Sequence, residues 1–145
     1  MRRVVLDINV IVSGTPDRGT PPSQIISRWQ QGHFALVVSE HILSRAEGVW
    51  NRPYFADRLN PDVPQRILST LRSRGESFTP VDDVHGIADD EEDDLVLATA
   101  VAGSADYLVT GDKGLLTLGS FRGVRIVTPR AFLDILEATD TADEK

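Results

Sequence analysis

The chain has 145 residues and a mass of 15.9 kDa, the size of one ordinary domain, and its 41% hydrophobic and 26% charged residues exclude wholesale disorder and a fibrous repeat. It contains no cysteine, which excludes disulfides, zinc fingers, iron–sulfur centres and thiol nucleophiles. Fifteen basic against 22 acidic residues give a net charge of −7, a poor balance for holding nucleic acid by bulk electrostatics.

In chain order, Val4-Val5-Leu6 with Ile8 forms a β-branched apolar run, as expected for a strand buried on both faces of a parallel sheet. Asp7 breaks that run, and Asp7 with Asn9 interrupts any signal-peptide core. The longest apolar run, residues 95–102, is too short to span a bilayer, so the expected location is the cytoplasm. Gly14, Pro16, Gly19, Pro21 and Pro22 make a loop. Ile25, Ile26 and Trp29 recur at helical spacing over residues 22–31, with Gly32 as a stop, and residues 34–38 read as a second strand. Ser39 is an expected N-cap for a helix whose apolar stripe is Ile42, Leu43, Ala46, Val49 and Trp50, ended by Arg52-Pro53.

A third helix is expected over residues 62–74, closed by Gly75, and a weak strand over residues 77–81. The acids Asp89, Asp90, Glu91, Glu92, Asp93 and Asp94 lead into a helix over residues 94–102, stopped by Gly103. Strands follow at residues 106–110 and 124–128, then a helix over residues 129–138 opened by Pro129. This predicts a single α/β domain over residues 1–138 with a mainly parallel central sheet, and a polar tail over residues 139–145.

Ligands of such sheets gather at the carboxyl ends of the strands. Asp7 ends the first strand, Asp93 and Asp94 open the helix after the third, and Asp112 follows the fourth in Thr110-Gly111-Asp112. Carboxylates from separate segments repel one another, and a hard divalent cation such as Mg²⁺ or Mn²⁺ would offset that repulsion. Each acid also has an ordinary structural reading. Asp93 or Asp94 can cap a helix, and Asp112 can be a turn residue. Asp7, an acid inside a buried apolar run, is the hardest to explain structurally.

The residues Val4-Val5-Leu6-Asp7-Ile8-Asn9-Val10-Ile11-Val12-Ser13 resemble the opening of PIN-domain nucleases. The resemblance continues through Leu36-Val37-Val38-Ser39, residues 90–100, and Ala105-Asp106-Tyr107-Leu108-Val109-Thr110-Gly111-Asp112-Lys113-Gly114-Leu115-Leu116, and ends in residues 124–133. Within that family the chain is most similar to the VapC-like toxins of toxin–antitoxin modules. The resemblance implies a three-layer α/β/α fold and a metal-dependent ribonuclease, with a cognate antitoxin as partner and a homodimer as assembly. It implies Asp7, Asp93, Asp94 and Asp112 as the acids that hold Mg²⁺ or Mn²⁺, with Asp93 and Asp94 alternatives for one position, and Asn9, Ser39 and Thr110 in support.

Two positions depart from the family pattern. Arg45 stands where the family usually has a glutamate, and Glu40 and Glu47 do not share its helix face at about 100° per residue. Gly114 stands where an acid often follows Asp112 by two residues. An arginine turned into a carboxylate cluster would replace a cation, so the competing reading is a catalytically weakened PIN-fold binding or scaffold protein. If Arg45 instead faces solvent or pairs with Glu47 or Asp57, a three-acid site survives. Trp29 and Trp50 are expected in the core or at a dimer contact, and His41 at the surface. A haloacid-dehalogenase-type phosphatase lacks its second strand-one acid, because Asn9 stands there. A receiver-like domain lacks its aspartate and lysine pair.

Overall fold

Continuous apolar runs at Val4-Val5-Leu6 and Leu36-Val37-Val38 lie at the centre of a six-stranded sheet, where they are buried on both faces. The structure is a computed structural model that describes residues 1–15 and 19–143. Its elements are β1 Arg3–Leu6, α1 Ile8–Ser13, α2 Pro21–Gln30, β2 Ala35–Val38, α3 Glu40–Trp50, α4 Pro53–Ala56, α5 Asp62–Arg74 and β3 Glu76–Ser77. They continue with α6 Glu91–Ala102, β4 Tyr107–Val109, α7 Lys113–Leu118, β5 Ser120–Phe121, β6 Val124–Val127 and α8 Pro129–Asp143.

The strand order is β3-β2-β1-β4-β6-β5, parallel throughout except for β5 against β6. Helix α1 packs against α2 and α3, and α3 against α4 and α5; α6 lies against β1, β2 and β4, α7 against β6, and α8 returns to pack on α2. The expected three-layer α/β/α arrangement with a mainly parallel sheet is the fold. From β1 the chain moves outward to β2 and β3; from β4 it moves the other way, to β6. The switch point therefore lies between β1 and β4, which pair through Leu6 and Val109. Asp7 and Thr110 are the next residues on those two strands.

Several boundaries differ from expectation. Ile8 to Ser13 is a helix although its residues favour strands; Asp7 caps it, and burial of Ile8, Val10, Ile11 and Val12 overrides the propensity. Helix α6 begins at Glu91, not Asp94, because Asp90 is its N-cap and accepts from the Asp93 N–H at 2.8 Å. The strand expected over residues 77–81 is only Glu76–Ser77, at the sheet edge. The short elements α4, α7 and β5 are additional; β5 and β6 turn through Arg122 and Gly123, both with positive φ, as a two-residue hairpin requires. Helix α8 continues to Asp143, past the expected end of the domain, while Glu144 and Lys145 of the tail and Pro16 of the expected loop lie outside the described residues. Trp29 and Trp50 are core residues.

Candidate active site

Asp7 is 5% exposed and sits at the start of α1, where its Oδ1 accepts the Ile8 N–H at 2.7 Å. Its Oδ2 accepts from the Thr110 hydroxyl at 2.6 Å. Thr110 is fully buried, and its Oγ1 in turn accepts the Asp112 N–H at 3.0 Å. Asp112 is the N-cap of α7 and accepts the Leu115 N–H at 2.8 Å. One hydroxyl thus links the carboxylate after β1 to the loop after β4. Burial raises the pKa of Asp7 above the usual carboxylate value, against the lowering effect of Thr110 and the Ile8 N–H, while the charges of Asp112 and Glu92 raise it further. Replacing Thr110 with valine keeps the shape and deletes the donor. A loss of about 2 kcal/mol in chemical denaturation is expected, as for hydrogen bonds to charged groups; unchanged stability would show that the hydroxyl does not hold Asp7.

The acidic run divides at α6. Asp93, in its first turn, has its pKa pushed up to about 7 by partial burial first, then by the negative charges of Asp90, Asp112, Asp7 and Glu92. Asp94, 6% exposed, turns elsewhere: its carboxylate accepts the N–H groups of Gly86 at 2.9 Å, Ile87 at 3.1 Å and Ala88 at 2.7 Å. Asp93 therefore joins the field of Asp7 and Asp112, and Asp94 latches the loop over residues 86–88. The helix dipole of α6 favours its four first-turn acids and offsets part of this repulsion.

Because the folded chain holds a proton on Asp93 more tightly than the unfolded chain, this residue adds stability below pH 4, and that stability is lost as the pH rises through about 7. In buffer without divalent ions, Asp93→Asn should be more stable than wild type at pH 8 by about 1–2 kcal/mol. This is less than the full shift implies, because solvent screens a partly exposed group. The advantage should vanish near pH 4. A difference independent of pH would show that Asp93 is not under this field.

The family model for the PIN domain matches residues 3–114. The chain belongs to the PIN-domain family. A search of curated proteins returns no match. Among solved structures this PIN domain is similar to a chain in the crystal structure of VapBC2 from Rickettsia felis bound to a DNA fragment from their promoter. The likeness has a TM-score of 0.57 at 15% identity and covers 87% of this chain and 98% of that one. At that identity it speaks for the fold.

Arg45, expected among the carboxylates or else turned to solvent or paired with Glu47 or Asp57, is exposed and pairs with Glu92. Its guanidinium donates to Glu92 Oε2 at 2.7 and 3.1 Å, at a partly exposed position where α3 meets α6. Glu92 lies in the acidic run but outside the expected set of site acids. It acts on Asp7, Asp93 and His41, and the only signal for it was its place in the acidic run. His41, expected at the surface, is half-buried, and its Nε2 is a buried atom without a hydrogen-bond partner. Burial lowers its pKa, against the charge of Glu92. Ser39 is fully buried and caps α3 through the Ile42 N–H at 3.3 Å; its hydroxyl lies 2.9 Å from that of Thr99, which ties α3 to α6. Asn9 is solvent-exposed on the first turn of α1, whereas Asp7 is buried.

Asp7, Asp93 and Asp112 offer hard oxygen donors, and the charges of Asp112 and Asp7 add to burial in raising the pKa of Asp93. That chemistry fits Mg²⁺ or Mn²⁺. Among the described residues no three acidic, histidine or cysteine side chains close on one point.

Proposed function

We propose that this PIN domain is a Mg²⁺- or Mn²⁺-dependent ribonuclease, the toxin of a toxin–antitoxin module, acting in the cytoplasm. The observation that carries this reading is the Thr110 hydroxyl that joins Asp7, after β1, to the loop of Asp112, after β4, at the switch point of the sheet, with Asp93 under the charge of both acids. Asp7, Asp93 and Asp112 would hold the ion, which when bound supplies a polarised water and charge stabilisation for phosphodiester cleavage. Thr110 fixes the rotamer of Asp7 and the approach of Asp112, so both carboxylates are oriented before substrate arrives. Ser39 and Thr99 hold α6, and with it Asp93, against α3. Arg45, half-exposed beside Glu92, offers a guanidinium to phosphate at the rim.

The competing reading, a PIN-fold binding or scaffold protein without chemistry, rests on Arg45 in place of an acid. Its charge is taken up by Glu92, which leaves Asp7, Asp93 and Asp112 as three uncompensated carboxylates. A cognate antitoxin and a homodimer are the assemblies expected, and the fold shared with a chain of VapBC2, solved on promoter DNA, supports a search for the former. Purified protein should cut single-stranded RNA with Mn²⁺ and stop on addition of EDTA. RNA binding without cutting, at any divalent ion concentration, would favour the scaffold reading.

A further inference from the structure

Helix α1 joins the switch point of the sheet to a groove on the neighbouring surface. Asp7 caps its first turn, and Val12 and Ser13 at its other end line a cavity of about 270 Å³ together with Thr20, Tyr54, Phe55 and Arg58. The six residues of α1 rise about 9 Å, so the groove is within reach of the nucleotides that flank a bond cut at Asp7. Tyr54 is 61% exposed, more than any other large hydrophobic side chain but Met1 among the described residues. Its ring is nevertheless held in place. Phe55 meets it edge to face at 4.9 Å, and the Arg58 guanidinium lies over it at 4.0 Å while donating to the Tyr54 carbonyl at 2.8 Å. Arg58 is the one charged residue of the lining, and among the described residues it has no acidic partner.

We propose that this groove binds one base of the single-stranded RNA substrate, with the Tyr54 ring and the Arg58 guanidinium as its stacking platform. The proposal rests on the ribonuclease reading and adds to it a subsite apart from the acids. Two considerations favour a nucleotide over a protein segment. A net charge of −7 gives RNA little bulk attraction, so affinity has to come from contacts that do not depend on net charge. Stacking of bases on aromatic and guanidinium planes is such a contact. The cavity also falls below the range of about 300–1,000 Å³ typical of drug-sized ligands, which suits one flat ring. The Ser13 and Thr20 hydroxyls in its wall can donate to or accept from a base edge or a ribose 2′-OH. The groove is then a positioning element: it takes no part in chemistry and fixes the register of the strand over Asp7.

The test reads fluorescence anisotropy of a short, labelled, mixed-sequence single-stranded RNA on the full chain carrying Asp7→Asn, which keeps the strand intact. On that background Tyr54→Ala should weaken binding by about tenfold, within the range that alanine substitution finds for one base–aromatic stack. Tyr54→Phe keeps the ring and should bind within about twofold of its parent, with Arg58→Ala between the two. Because the ring is exposed, the melting temperature of Tyr54→Ala should stay within about 2 °C. With 5-iodouridine in the strand, irradiation should cross-link the RNA to Tyr54, as mapped by mass spectrometry. Equal binding by Tyr54→Ala and its parent, at any strength including none, overturns the proposal, and so does cross-linking confined to other residues. Loss of antitoxin binding in Tyr54→Ala with RNA binding unchanged overturns it too, and makes the groove a protein-docking surface. Cleavage by the wild type separates this failure from that of the underlying reading. No cutting, with Tyr54-dependent RNA binding kept, ends the ribonuclease reading alone; Asp7-dependent cutting, with binding indifferent to Tyr54, ends the subsite alone.

Discussion

Asp7→Asn is expected to reduce Mn²⁺-dependent RNA cleavage by on the order of 10²–10³-fold, the scale on which removal of one preorganised electrostatic group acts in enzymes. The side chain is almost fully buried, and asparagine matches its volume. The two donors bind different oxygens of Asp7, so asparagine keeps an acceptor for one of them, the Ile8 N–H, and its amide N–H can donate to the Thr110 hydroxyl oxygen where the O–H now donates. Burial already disfavours the charged form of Asp7, so the variant should melt no lower than wild type at pH 8. Cleavage assays and thermal melts on the same preparations check both halves. Equal cleavage by variant and wild type would assign the activity to a contaminant or to another site.

The opposite profile is expected at the neighbouring position of the acidic run. Asp94→Ala leaves three backbone N–H groups, of Gly86, Ile87 and Ala88, without their acceptor. Hydrogen bonds to a charged acceptor contribute more than neutral ones, and three are lost together with a buried carboxylate. A destabilisation of about 3 kcal/mol, or about 10 °C in melting temperature, is expected. Asp94→Asn retains one acceptor oxygen and should cost about half as much. Cleavage below the lowered melting temperature should fall by no more than about tenfold, because the Asp94 carboxylate is taken up by the N–H groups of residues 86–88. Loss of all cutting in a folded Asp94→Ala would return Asp94 to the list of ligands and Asp93 to a capping role.

These two residues show where sequence reasoning stops. Asp93 and Asp94 are adjacent acids in the same helical turn, and spacing along the chain does not tell which one faces Asp7. The answer depends on the rotation of α6 about its axis, set by burial of Val96, Leu97, Ala98 and Ala100, and on the path of a loop that has no periodicity of its own. Arg45 is a similar case. Its departure from the family pattern is plain in the sequence, but Glu92 as its partner is a tertiary contact between α3 and α6. Gly114 stands in the sequence where the family often has an acid, and only the fold shows that a Cβ there would meet the carboxylates of Asp89 and Asp112.

What the sequence by itself determined was the α/β class, the parallel sheet and the edge on which the acids gather. Those follow from local rules: apolar runs for strands buried on both faces, caps such as Ser39, stops such as Gly103, and the position of Asp7 and Asp112 just past strand ends. Only the tertiary structure decided which acids share a field, which one is spent on backbone amides, and what neutralises Arg45. The reason is physical. A pKa or a hydrogen bond depends on distances of a few ångström between segments far apart in the chain, and a rotation of one residue about a helix axis, about 100°, redirects a carboxylate from one neighbour to another.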